Sequence, residues 1–116
     1  MRVLGIDHVQ VAAPPGCEAD ARAFYGDLLG LEELPKPEPL AARGGCWFRA
    51  GKQELHVGVE DPFAPARKAH PGLVVDDLDA LAERLGEVTW DDSIPGTRRF
   101  HVVDPFGNRL EVRQGG

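Results

Sequence analysis

The sequence predicts an α+β protein built from two similar β-α-β-β-β halves, each packing one helix against one face of a curved sheet. Three observations carry that expectation. Segments of β-branched and alternating residues recur along the chain and are separated by turns rich in proline and glycine. Two other stretches have the i, i+3, i+4, i+7 apolar spacing of a helix with one buried face, and each ends at a glycine, Gly30 or Gly86. Finally, the order of elements in about 1–60 starts again in about 69–114, with a linker at about 61–68, so the 116 residues read as an internal repeat within a single domain.

Taken in order, VLGIDHVQVAA at 3–13 is the first strand, stopped by Pro14-Pro15-Gly16. Between Glu18 and Leu29, the positions Ala21, Phe24, Tyr25 and Leu28 form the apolar stripe of the first helix. A loop with Pro35, Pro37 and Pro39 follows, then a strand near Cys46 to Ala50, a turn at Gly51-Lys52, and a strand from Gln53 to Val59. In the second half, His70 to Val75 is a strand, and Asp76 or Asp77 can cap a helix carrying Leu78, Leu81, Ala82 and Leu85. A short strand near Val88 to Trp90 precedes a loop with Pro95 and Gly96. The strand Arg99 to Val103, the turn Asp104-Pro105-Phe106-Gly107 and the strand Arg109 to Arg113 complete the half.

Composition narrows the class of function. Thirteen basic residues against nineteen acidic ones give a net charge of -6, with no basic stripe, so nucleic acid and anionic membrane surfaces are not expected partners. No window approaches the roughly 18 apolar residues of a membrane span, and the protein is expected to be soluble and cytoplasmic. Cys17 and Cys46 are too few for a disulfide framework and lack CxxC spacing, so they read as buried or idle thiols.

Strand alternation separates helix-packing positions from those on the open face. Leu55, Val57 and Val59 pack, which turns Glu54, His56 and Gly58 outward. Phe100 and Val102 leave Arg99 and His101 on the open side, and Leu110 and Val112 leave Arg109, Glu111 and Arg113 there. Val9 and Val11 pack in the first strand, so His8 and Gln10 face out, and His70 is assigned to the same class of surface. One reading is a wet polar face. The other is a metal site, for which imidazoles and one carboxylate suit Zn, Fe, Ni, Co or Mn.

The segments IDHVQVAAP (6–14), ARAFYGDLLGLE (21–32), ELHVGVED (54–61), HPGLVVDDLDALAERL (70–85) and DPFGNRLEV (104–112) together resemble the vicinal oxygen chelate superfamily. That superfamily includes glyoxalase I, bleomycin resistance proteins, fosfomycin-modifying enzymes and extradiol dioxygenases. The resemblance covers nearly the whole chain and implies paired βαβββ modules closing around a cavity that holds a divalent ion. It places His8, His70 and Glu111 as metal ligands, with the fourth from the strand that carries Glu54 and His56, about 6.6 Å apart along that strand; His56 is the preferred one. Glu111 would also take part in catalysis, His101 could act as a general acid or base beside the ion, and Arg109 and Arg113 could attract an anionic substrate from the rim. Pro71, which cannot donate to a ladder, fits a strand start.

The resemblance thus implies a divalent-metal-dependent enzyme acting on a small molecule with adjacent oxygen atoms, by lyase, isomerase or dioxygenase chemistry, and working as a homodimer. The alternative is a metal-free resistance protein that sequesters a cationic drug, as bleomycin resistance proteins do.

Overall fold

In the first half of the computed structural model, which describes residues 1–116, the sequence's alternating segments meet as a four-stranded mixed sheet. The chain divides into two compact units, Met1–Ala64 and Pro65–Gly116. In the first, strands β1 (His8–Ala13), β2 (Glu32–Leu34), β3 (Cys46–Ala50) and β4 (Gln53–Val59) lie in the order β1-β4-β3-β2. β1 runs parallel to β4, and the other neighbours are antiparallel. The second unit repeats the plan with β5 (Gly72–Val75), β6 (Thr89–Trp90), β7 (Arg99–Val103) and β8 (Arg109–Gln114) in the order β5-β8-β7-β6. Here too the outer first strand is parallel to the last and the rest are antiparallel. The expected α+β class and repeated module are both present.

The helical stripes supply the cores. α1 (Glu18–Ala21) widens into a π-helical stretch, Arg22–Leu28, closed by the Leu29 amide donating to the Phe24 carbonyl at 2.9 Å. A regular helix was expected throughout. Within the wider turn the adjacent rings of Phe24 and Tyr25 are both buried and meet edge to face at 4.9 Å, and Tyr25 packs against Phe48 of the sheet with ring centroids 5.8 Å apart. In the second unit, Asp77 caps α2 (Leu78–Leu85) by accepting a hydrogen bond from the Ala80 amide at 3.0 Å. Leu78 and Leu81 are buried there along with Phe100, Leu110 and Val112.

Several boundaries depart from the sequence reading, each for a local reason. The first strand starts at His8, not Val3, because its partner β4 begins at Gln53 and His8 already faces Glu54. Val3, Leu4 and Ile6 are consequently exposed. Of the two valines expected to pack, Val11 is buried and Val9 is not. An additional strand, β2, occupies residues 32–34 before the proline loop, and a 3-10 turn, Leu40–Arg43, follows it. β5 starts at Gly72, so His70 lies just outside the strand; Pro71 has no amide to donate, and the ladder begins at the Gly72–Glu111 pair. β6 holds only Thr89 and Trp90.

One tight connection braces each unit. In the turn at 104–108, Asp104 Oδ1 accepts hydrogen bonds from the amides of Phe106 and Asn108, both at 2.9 Å, and Oδ2 accepts one from Asn108 Nδ2 at 2.9 Å. Gly107 takes a φ of +91° at the tip, a conformation that favours glycine. In the first unit, Glu18 accepts the Gly45 amide at 2.6 Å, which draws its pKa below the usual glutamate value. A Cβ on Gly45 would sit 2.1 Å from the Val57 carbonyl oxygen, so only glycine admits this approach of loop to strand.

Candidate functional site

On the first sheet, cross-strand register gathers an aromatic column from three strands. Trp47 of β3 lies directly opposite His56 of β4, and their rings stack at 4.1 Å; the His8 ring of β1 stacks on the other side of His56 at 4.3 Å. His56 is thereby enclosed, 5% exposed, with Nε2 2.9 Å from Glu54 Oε1. His8 stays exposed, and its Nδ1 donates to Asp7 Oδ2 at 2.8 Å. An ionised carboxylate can only accept, so the proton belongs on Nδ1 and the lone pair on Nε2.

The second sheet carries the remaining candidates. His70, just ahead of β5, donates Nδ1–H to the Lys68 carbonyl at 2.8 Å, which again leaves the Nε2 lone pair free. Its ring meets that of His101 edge to face at 5.8 Å. His101 of β7 is paired in register with Glu111 of β8, so the two share one face. His101 Nε2 lies 3.1 Å from Asp91 Oδ2, and Arg109 Nη2 lies 3.4 Å from both of its ring nitrogens.

Glu111 sits in a denser network than alternation alone suggested. Its Oε1 accepts from Arg99 Nη1, and Arg113 Nε lies 3.9 Å from Oε2; the side chains of Glu111 and Arg99 are each only 12% exposed. Arg99 Nη2 also reaches Asp91 Oδ2 at 3.0 Å and the Ser93 hydroxyl at 2.9 Å. Asp91 is held well below the usual carboxylate range, first by the Ser93 hydroxyl at 2.6 Å, then by the Ser93 amide and His101. Sequence reasoning passed over Asp91 and Ser93. Their signal was the Asp-x-Ser spacing of 91–93, an Asx turn that returns a side-chain oxygen to the backbone two residues on.

Whether these residues suit a divalent ion can be judged from their donor chemistry. Within either unit, no three His, Cys, Asp or Glu side chains form a group that could hold a metal. The individual donors are nonetheless of the right kind. His8 and His70 each have Nδ1 tied to an acceptor and Nε2 open, the arrangement that orients a ligating imidazole. Glu111 has a cationic partner, and one buried atom of that partner, Arg99 Nε, makes no hydrogen bond. His56 differs, because its Nε2 is engaged by Glu54 and its ring is stacked on both faces.

No protein-family model matches the sequence, and no curated protein matches it. Among solved structures, a glyoxalase family protein from Bacillus anthracis is 53% identical, each chain covering 100% of the other, with a TM-score of 0.95. Lactoylglutathione lyase from Agrobacterium tumefaciens is 24% identical over 99% of this chain and 96% of its own, with a TM-score of 0.75. FosX, a fosfomycin resistance protein from Listeria monocytogenes, is 16% identical over 99% of this chain and 96% of its own, with a TM-score of 0.76. The last two share the fold.

Proposed function

Because the chain belongs to the glyoxalase family, within the vicinal oxygen chelate superfamily, we propose that it is a divalent-metal-dependent enzyme acting on a small molecule with adjacent oxygen atoms. Lyase, isomerase or dioxygenase chemistry would suit such a substrate. In this reading His8, His70 and Glu111 hold the ion, the Glu54–His56 pair supplies the fourth ligand, and the protein works as a cytoplasmic homodimer. The observation that carries it is the shared state of His8 and His70, each with Nδ1–H donated to an oxygen and Nε2 left as a lone pair.

Bound by such ligands, a divalent ion would supply Lewis-acid polarisation of a carbonyl, enolate or catecholate oxygen. The chain's own residues have separate tasks. Asp7 and the Lys68 carbonyl set the tautomers of two imidazoles. Glu54 and Trp47 orient His56. Asp91 accepts from His101 Nε2, which leaves Nδ1 as the nitrogen able to take a proton from substrate and return it.

The test is metal content. Protein purified without chelator should carry stoichiometric Zn, Fe, Ni, Co or Mn by elemental analysis, and Glu111→Ala should lose it. Absence of metal from both proteins, after each is offered these ions, would overturn the reading.

A further inference from the structure

The second unit has an open concavity of about 1090 Å³, just above the usual range of small-molecule sites, whose lining includes Pro65, Arg67, His101, Val103, Phe106 and Arg109. We propose that this surface binds a small organic carboxylate, with the two guanidiniums on the acid group and the apolar wall on the rest of the molecule. The inference goes beyond the metal-dependent reading and uses residues outside the suggested ligand set.

The first support is how the charges are placed. The Asp104–Asn108 turn does more than reverse the chain: Asn108 Oδ1 accepts the Ala66 amide at 3.0 Å, and the Arg109 amide donates to the Ala66 carbonyl at 2.9 Å. Asn108 is 1% exposed and Asp104 4%. A buried polar device therefore staples the segment before Arg67 to the start of β8, and Arg67 and Arg109 line the same concavity.

The second support is what these cations lack. Arg98 pairs with Asp79, Arg99 with Asp91 and Glu111, and Arg113 approaches Glu111. Neither Arg67 nor Arg109 forms an ion pair, and the Arg109 guanidinium has Nη2 3.4 Å from both nitrogens of the His101 ring. With Nε2–H directed at Asp91, that imidazole carries no negative charge to offer. Glu87 is the lining carboxylate, and it is exposed. Two like charges facing one volume repel, and a planar carboxylate relieves the repulsion through paired N–H···O bonds. A cationic drug would add to it.

The third support is the wall. Val103 is 61% exposed, beside Phe106, Val102 and Pro65, which suits a ligand with an apolar or aromatic body next to its acid group.

Benzoate is a direct probe. The full chain, stripped of metal with chelator, is titrated with benzoate, benzamide and benzylamine while backbone amide NMR shifts are followed. Benzoate should bind saturably with shifts centred on Phe106, Gly107 and Arg109, at least tenfold more tightly than benzamide, and benzylamine should produce no shifts there. Arg109→Met and Arg67→Met should each weaken benzoate by tenfold or more. If Arg109→Met fails to fold, Arg67→Met decides, since Arg67 is an exposed side chain. Equal binding of benzamide, shifts confined elsewhere, no binding, or unchanged affinity in Arg67→Met would each overturn the proposal. Metal content does not enter this measurement, so it can fail while the metal-dependent reading stands, and the reverse.

Discussion

Glu111 shows how one residue's surroundings decide its chemistry. A carboxylate at 12% exposure must be compensated, and the partner is Arg99, itself shared with Asp91 and Ser93. Arg99→Met should therefore leave the Glu111 carboxylate with only the more distant Arg113 and lower stability by about 3 kcal/mol. If Glu111 is a metal ligand, added Co²⁺ should recover more of the melting temperature in this variant than in the parent, since the ion replaces the lost charge. Cys17 offers a second test. Burial, then the neighbouring Glu18 carboxylate, pushes its thiol up to about 11. Both cysteines should resist iodoacetamide at pH 8 in the native protein and react in denaturant, and mass spectrometry reads the difference.

At the scale of elements, the two connections that hold the sheets carry the sharpest expectations. Asp104→Ala removes the acceptor of two amides and the Asn108 side chain in a buried turn, and should cost about 2–3 kcal/mol in urea unfolding. Glu18 joins α1 to the Gly45 loop, and the Gly45 amide holds its pKa below the ordinary glutamate value of 4.5. A carboxylate whose pKa is lower folded than unfolded contributes stability above the unfolded value and loses it as pH falls through the folded one. Glu18→Gln should thus be destabilising at pH 7, and the gap to the parent should shrink toward pH 3, as urea midpoints at the two pH values would show. The helix itself was legible as a stripe of apolar positions. Its π-helical widening was not, because only packing against Phe48 sets how two adjacent aromatic side chains, Phe24 and Tyr25, are accommodated.

For the whole molecule, the proposed homodimer has a surface consequence. Val3, Leu4 and Ile6 ahead of β1 are exposed large apolar side chains close together in sequence, and clustered exposure of this kind marks association surfaces. Sedimentation should give a dimer, and a Leu4→Lys, Ile6→Lys double variant should shift it toward monomer without loss of secondary structure. A parent that sediments as a monomer would count against the assembly. No helix is long and apolar enough to cross a membrane.

The sequence by itself determined the repeated module, the order of its elements, the positions of most turns and the packing residues Leu55, Val57, Phe100, Leu110 and Val112. These follow from short-range patterns: alternation in strands, helical spacing, and glycine or proline at breaks. Tertiary structure decided which side chains meet. Stacking of Trp47, His56 and His8 depends on the register of three strands, and pairing of Arg99 with Glu111 and Asp91 depends on a loop folding back beside β7. Strand alternation assigns a residue to a face, whereas a contact also requires the sideways alignment of segments distant in sequence. That alignment is fixed only when the sheets form.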